Sequence, residues 1–323
     1  MLSEADQIAA NGEPTTAPGH SAARSLALYL LPMILGPLLI PLAAVLIVPS
    51  NWFARHSGLT YLMTVGYGAT LRDVNCEVVI YGDSTGMIGI NPGIISKRTG
   101  LSTCNIAEYM GVTMLEGTRP VDEYLAHNRP PRVMIFSYAP EDLNPREQYG
   151  SDNIMLFEAI TYRLRQPGGW LNVLFRHPAE FFDWSCRGLR LAAERATAKP
   201  FAQEIEHLRD KTGGQVVLDD ARVLGDCSYT ARISAPDMKW IGYLRSNYSR
   251  RGTRVLVDAM PLPVCDPGLG FYRSELPPVI DNDVATFPLS AYLPGGRHTT
   301  AAGSVLLSER IAAQVLSMAP GIR

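Results

Sequence analysis

The sequence predicts an α/β fold, in which helices flank a parallel sheet, attached to one N-terminal transmembrane helix. Two observations lead to this prediction. Apolar runs of strand length alternate with helical segments between residues 76 and 138, and the alternation returns between residues 236 and 318. An uncharged, apolar stretch at residues 26–48 precedes them. Alternating strands and helices are typical of βαβ units, whose strands pair in parallel.

The apolar stretch at residues 26–48 is long enough to span a bilayer. At about 1.5 Å per residue it reaches about 35 Å, and a hydrocarbon core measures about 30 Å. It contains Pro32, Pro37 and Pro41, which membrane helices tolerate as kinks. A cleaved signal peptide is the alternative, but its apolar core would be shorter. We therefore expect an uncleaved anchor at residues 24–49, after a disordered tail at residues 1–23.

The charges around the span do not decide its orientation, because Arg24 precedes it and Arg55 follows it. A short tail before a single span, with a large domain after it, usually leaves the domain outside the cytoplasm. We expect a single-pass inner-membrane protein with its domain in the periplasm or otherwise outside the cytoplasm. Residues 50–72 are predicted to form a juxtamembrane connector, and residues 73–323 the domain.

The elements of the domain follow from the spacing of apolar residues. Strands are predicted at residues 76–81, 102–106, 133–138 and 254–259, and helices at residues 92–99, 113–127, 236–250 and 300–318. Pro130 and Pro131 end the second of these helices, because proline disfavours helix in the residue before it. Residues 150–232 are predicted to contain a helical insertion, and residues 261–294 to be irregular.

Composition excludes several classes of function. The formal charge of −2 argues against nucleic acid as a partner, because such binding needs a basic surface. Neither GxxxxGK[ST] nor GxGxxG is present around residues 82–89, so no nucleotide cofactor is expected. The five cysteines form no CxxC pair, so we expect no metal site. They are predicted to be small buried residues with at most one or two bridges.

Ser84 is the candidate nucleophile. It lies in Gly82-Asp83-Ser84-Thr85, directly after the predicted strand, where a side chain is held rigidly at the carboxyl edge of a parallel sheet. His298 stands just before the last predicted helix and is the candidate general base. A serine that merely caps the turn is the alternative interpretation.

Four segments resemble a known family. They are VVIYGDST at residues 78–85, NIAEYMG at residues 105–111, VMIFSYAPEDL at residues 133–143, and His298 with Gly303. Their order and spacing resemble the SGNH hydrolase superfamily, in particular its membrane-anchored branch, related to alginate O-acetylation proteins and the D-alanine transfer protein of teichoic acids. The resemblance covers roughly residues 75–145 and 290–318. It implies a three-layer, flavodoxin-like sheet.

The resemblance also implies residue roles. Ser84 would be the nucleophile and His298 the base, and the amides of Ser84 and Gly111 would stabilise the oxyanion. Gly295 stands where the family usually has the aspartate that orients the histidine. A backbone carbonyl is one alternative for that role, and the others are the upstream carboxylates of Asp258, Asp266, Asp281 and Asp283. Residues 137–142 replace the family's glycine-asparagine block, which leaves a third oxyanion donor unassigned.

The expected function is that of a membrane-anchored O-acyltransferase or esterase. It would act on O-acyl groups, acetyl by expectation, of an exopolysaccharide through a serine acyl-enzyme, with no cofactor or metal. The resemblance implies an integral-membrane acyltransferase or a polysaccharide synthase complex as partner. The alternative is a catalytically degenerate subunit that keeps the fold and serves binding or scaffolding in such a complex.

Overall fold

The computed structural model describes residues 19–57, 61–145, 153–166, 168–197, 208–218, 222–277, 280–281 and 283–318. Most of the predicted tail lies outside these ranges. The first helix, α1, extends over Gly19–Ile47 and includes all three prolines of the apolar stretch. Its residues 24–47 have a mean hydropathy of 2.5, and α1 is the one described helix long and apolar enough to cross a membrane. This is consistent with a single-pass membrane anchor.

The chain is mixed α/β, with a parallel sheet at its centre. Its strands are β1 (Val78–Gly82), β2 (Thr103–Asn105), β3 (Val133–Tyr138) and β4 (Arg254–Ala259). The order across the sheet is β2-β1-β3-β4, and all described pairings in it are parallel. The chain moves outward from β1 in both directions, so the switch point lies between β1 and β3. Ligands of such sheets bind at the carboxyl ends of the strands beside that point.

The described part of the chain contains fifteen α-helices besides the parallel sheet, which confirms the predicted α/β class. After α1 they are α2 (Asn51–Ser57), α3 (Tyr61–Thr64), α4 (Tyr67–Thr70), α5 (Ser84–Gly89), α6 (Pro92–Thr99), α7 (Met110–Glu116), α8 (Arg119–Leu125), α9 (Asn153–Arg165), α10 (Gly169–Arg176), α11 (Pro178–Arg195), α12 (Leu208–Thr212), α13 (Met238–Ser249), α14 (Leu269–Glu275) and α15 (Ala301–Met318).

Helices cover both faces of the sheet, because successive strand side chains point to opposite faces. Val78 and Ile80 pack on one face with α6 and α15. Val79 and Tyr81 pack on the other face with α8 and α13. Both faces are therefore buried, which explains why the strands read as continuous apolar runs rather than as alternating ones.

The helix predicted at residues 113–127 is wrong in one respect. The structure has two helices there, α7 and α8, which meet at Gly117 and Thr118. Gly117 has a φ of 60°, a conformation that favours glycine, and its carbonyl accepts a hydrogen bond from Tyr81 Oη at 2.5 Å. Pro120 lies in the first turn of α8, where its missing N–H costs no helical hydrogen bond.

The end of α1 packs on the helical insertion rather than standing apart from the domain. Val48 and Phe53 are fully buried in one cluster with Phe157 of α9 and with Phe181 and Trp184 of α11. Trp184 Nε1 also donates to Thr161 Oγ1 of α9 at 3.1 Å. This third core therefore joins α1 to α9, α10 and α11.

Four of the five cysteines are paired in two disulfides, within the predicted one or two bridges, but the predicted burial holds only for Cys76 and Cys104. Cys76, before β1, bonds Cys104 of the adjacent strand β2, and Cys227 bonds Cys265. The Cα atoms are 5.8 Å apart in both pairs, a normal distance for a disulfide. Cys186, on α11, is exposed and not a buried small residue.

The Pro/Gly-rich stretch after β4 contains more regular structure than predicted. Two short strands, β5 (Leu262–Pro263) and β6 (Thr286–Phe287), pair in parallel, and α14 lies between them. Their length of two residues puts them below what periodicity can detect, since a strand pattern needs about four residues.

Candidate active site

Ser84 occupies the first position of α5, directly after β1. Asp83 caps this helix: its Oδ1 accepts from the amide of Thr85 at 2.8 Å, and its Oδ2 accepts from the amide of Ala139 at 2.7 Å. Asp83 is fully buried, whereas Ser84 is half-buried. The cap thus fixes the turn and leaves the serine at the carboxyl edge of the sheet beside the switch point.

Gly82 permits the close contact of β1 with β3 at this point. A Cβ atom there would lie 1.6 Å from the carbonyl oxygen of Ser137. No side chain fits at such a distance, so the residue two positions before Ser84 has to be glycine.

His298 reaches Ser84 from the segment before α15. Ser84 Oγ lies 3.0 Å from His298 Nε2, within hydrogen-bonding distance, although the residues are 214 positions apart. The His298 carbonyl accepts from the amide of Leu293 at 2.8 Å, and Thr299 bridges to Tyr292. These contacts fix the backbone on both sides of the imidazole. The structure therefore brings together the two residues that the sequence selected as nucleophile and base.

The surroundings of His298 favour its neutral form. Burial lowers the pKa of the imidazole below its ordinary value of 6.5, and the negative charge of Asp83 opposes this effect. A neutral Nε2 can accept a proton from the serine hydroxyl, which is what a general base requires.

None of the predicted orienting acids contacts His298 in the described part of the chain. Asp258, buried at the end of β4, lies 3.6 Å from Arg310. Asp281 accepts from the amide of Val257 at 2.7 Å, and the exposed Asp283 accepts from Arg310 through its backbone carbonyl. The negative charge of Asp83, the residue directly before Ser84, does act on His298, and it raises the pKa of the imidazole.

Asp266, the remaining candidate acid, belongs to a buried ion cluster next to His298. Arg297 donates through Nε to Glu141 and through Nη1 to Asp266 at 2.8 Å, and Tyr229 Oη donates to Asp266 at 2.8 Å. The Arg297 guanidinium also lies 5.6 Å from the centre of the Tyr229 ring. The cluster joins the segment that carries His298 to the loop after β3. No sequence pattern marks Arg297 or Glu141 as a member of this site.

The structure does not place Gly111 as an oxyanion donor, which corrects that prediction. Its amide donates to Glu158 Oε2 at 3.1 Å and is therefore occupied. Burial raises the pKa of Glu158 to about 7, although the Gly111 hydrogen bond opposes the rise. The Ser84 amide, in contrast, begins α5, where no helical carbonyl is available to it. It remains the candidate oxyanion donor.

The end of β2 and the loop after it are held to α5 and, through Arg209, to Thr64 of α3. Asn105 Nδ2 donates to the carbonyls of Gly86 at 3.0 Å and Ile90 at 2.9 Å. Arg209, 2 % exposed, donates to four carbonyls, those of Gly214, Asn105 and Ala107 at 2.7–2.9 Å and that of Thr64 at 3.3 Å.

Glu108, in the same loop, accepts from the amide of Gly66 at 3.0 Å, and its burial raises its pKa to about 8. This loop, like the Ser84 turn, leaves the sheet at the carboxyl edge. Connector residues therefore help to fix one wall of the site.

Within the described ranges, no three His, Cys, Asp or Glu side chains lie close enough together to hold a metal ion. The arrangement of Ser84, His298 and the Ser84 amide is suited to acyl transfer, since it combines a hydroxyl, a neutral base and a free N–H. No protein-family model matches this chain, and no curated protein or solved structure is significantly similar to it.

Proposed function

We propose that this chain is a membrane-anchored, SGNH-like O-acyltransferase or esterase with Ser84 as nucleophile. The observation that carries the proposal is the 3.0 Å contact between Ser84 Oγ and His298 Nε2 at the carboxyl edge of a parallel sheet. The lowered pKa of His298 supports it, because the base is unprotonated at neutral pH.

The chemistry proceeds in two steps. Ser84 Oγ attacks the acyl carbonyl while His298 Nε2 takes its proton, and the Ser84 amide stabilises the oxyanion. Collapse expels the donor alcohol, which receives the proton from His298, and leaves an acyl-serine. A sugar hydroxyl or water then attacks this ester and gives its proton to His298. The acyl group leaves on that oxygen, and Ser84 Oγ takes from His298 the proton that the acceptor supplied.

The substrate and setting that we propose follow from the anchor and the resemblance. The acyl acceptor is an exopolysaccharide, the acyl group is acetyl, and an integral-membrane acyltransferase or synthase complex is the partner. Two disulfides in the domain support a location outside the cytoplasm, where such bonds persist. With α1 as anchor, this corresponds to an inner-membrane protein with a periplasmic domain.

A second candidate is a binding or scaffolding subunit that has the fold without the activity. Two observations favour it. No carboxylate in the described residues contacts His298, and the Gly111 amide is occupied by Glu158. Both features reduce the number of groups that would stabilise the transition state.

A fluorophosphonate probe separates the two candidates. We expect it to label the full-length protein in membranes, and we expect Ser84→Ala to abolish labelling, whereas Ser274→Ala, which removes an exposed hydroxyl of α14, leaves labelling unchanged. His298→Ala should slow labelling by roughly 10²- to 10⁴-fold. If folded wild-type protein is not labelled, and cells that carry Ser84→Ala acylate their polysaccharide normally, the enzyme proposal is refuted.

A further inference from the structure

The anchor helix α1 has two parts with different surroundings. Between residues 26 and 39 the large apolar side chains that the structure describes are 41–67 % exposed on all sides, as expected of a segment surrounded by lipid. Further along, Ala44 and Val48 are fully buried, whereas Leu42 and Leu46 on the opposite side stay exposed. One side of this later part is therefore covered by protein.

The covering element is α11. A Cβ atom on Gly188 would lie 2.3 Å from Val48, the residue after α1, so α11 is in close contact with the end of α1 there. The N-terminal half of α11 packs on α9 through Trp184, which leaves the half after Gly188 to pack along α1. Ala192 of that half shares its buried cluster with Ala44.

Four charged side chains lie on α11 between residues 187 and 195. They are Arg187, Arg190, Glu194 and Arg195, and Arg190 and Glu194 form an exposed pair at 3.7 Å. Charged side chains are excluded from the bilayer interior unless they line a polar cavity or reach its surface. The hydrocarbon boundary therefore crosses α1 before the stretch that α11 covers, near residue 40, so that the part of the anchor inside the hydrocarbon is shorter than the predicted residues 24–49.

The dimensions agree with this boundary. Residues 24–40 extend over about 25 Å, slightly less than the hydrocarbon thickness of about 30 Å, and modest local thinning compensates for such a difference. The following eight residues extend for about 12 Å, and a headgroup layer measures roughly 5–8 Å on each side of the bilayer. The second half of α11 then lies at the level of the headgroups.

We propose that α11, from Arg187 to Arg195, is a lipid-binding surface, and that its arginines contact headgroup phosphates beside the point where α1 enters the bilayer. Three arginines against one glutamate match the negative charge of phosphate, and the surface continues directly from the lipid-exposed part of α1. The inference rests on the proposed membrane anchoring and extends it, because it fixes the depth at which the domain is held.

Spin labels test the depth. In full-length protein with Cys186→Ser, reconstituted in nanodiscs that contain phosphatidylglycerol, a label is placed at Leu38→Cys, Arg190→Cys or Arg273→Cys. Arg273 is the matched control, an exposed arginine on α14, which follows β4 and β5 in the chain. Relaxation is measured with oxygen, with a water-soluble nickel chelate and with nickel bound to lipid headgroups.

We expect the Leu38 label to respond to oxygen, the Arg190 label chiefly to headgroup-bound nickel, and the Arg273 label to the soluble chelate alone. An Arg190 label that behaves like the Arg273 label overturns the proposal, and so does one that is shielded from all three reagents, because protein would then cover that surface. A Leu38 label without oxygen response would refute the membrane span itself, so the two failures are distinguishable.

Discussion

The ion cluster beside His298 gives the sharpest test of how the site is held. Arg297 is contacted by two carboxylates, and the side-chain exposures are 21 % for Arg297, 10 % for Glu141 and 0 % for Asp266. Arg297→Met keeps most of the side-chain volume but leaves both carboxylates buried without their cation. Removing one partner of a buried ion pair costs about 3–5 kcal/mol. Because Arg297 keeps some solvent contact, we expect a loss of about 3 kcal/mol in the free energy of unfolding at pH 8.

The loss should depend on pH with a defined sign. Burial raises the pKa of Glu141 above its ordinary value, and the charge of Arg297 is the largest opposing influence, so the pKa rises further in Arg297→Met. A carboxyl whose folded-state pKa is raised destabilises the protein at high pH, and the penalty disappears as the pH falls toward its unfolded value of about 4.3. The difference between variant and wild type should therefore shrink between pH 8 and pH 5.

Urea unfolding of detergent-solubilised protein at several pH values measures this difference. Glu141→Gln in the Arg297→Met background removes the buried charge and should recover about 1 kcal/mol or more at pH 8. Arg190→Met, at an exposed surface pair, is the matched control and should change stability by less than about 1 kcal/mol. A loss at position 297 that is below about 1 kcal/mol, or that is the same at pH 5 and pH 8, would refute the reasoning.

Three further outcomes are expected. Fluorophosphonate labelling should fall on acidification with a midpoint below pH 6.5, because the pKa of His298 is lowered and only neutral imidazole is a base; a midpoint above 6.5 contradicts this. Gly82→Ala should destabilise by at least about 3 kcal/mol and abolish labelling, whereas Gly242→Ala, with open space around its Cβ position, should be neutral or slightly stabilising in thermal unfolding. Replacing Cys76 and Cys104 by serine opens a loop of 28 residues and should cost about 3–4 kcal/mol in urea unfolding; a change below about 1 kcal/mol would argue against the bond.

The sequence predicted the sheet well because its strands are buried on both faces. The predicted strands at residues 133–138 and 254–259 and the helix at residues 92–99 match the structure residue for residue. The break at Gly117 was missed because the apolar spacing continues across it. Gly117 has a φ of 60°, and its carbonyl accepts a hydrogen bond from Tyr81 of β1. The periodicity of apolar residues indicates neither the turn nor this tertiary contact.

The candidate site was predictable only in part. Ser84 and His298 could be found because each adjoins a regular element at a defined end. The occupied amide of Gly111 and the Arg297 cluster depend on partners that are remote in sequence, Glu158 in the helical insertion and Asp266 in a loop. No local pattern links these pairs, and only the folded chain shows which carboxylate meets which donor.

The buried Arg209 bears on how a soluble fragment should be cut. A fragment that starts at residue 73, where the sequence suggests the domain begins, would lack Thr64, whose carbonyl accepts from Arg209, and Gly66, whose amide donates to Glu108. The Arg209 guanidinium and the Glu108 carboxylate would each lose a hydrogen-bond partner close to the site. An inactive fragment of this kind would then show the effect of the missing residues and not a lack of catalytic chemistry. Expression boundaries for biochemical work therefore belong ahead of α3, with the exposed part of α1 removed and the third core kept.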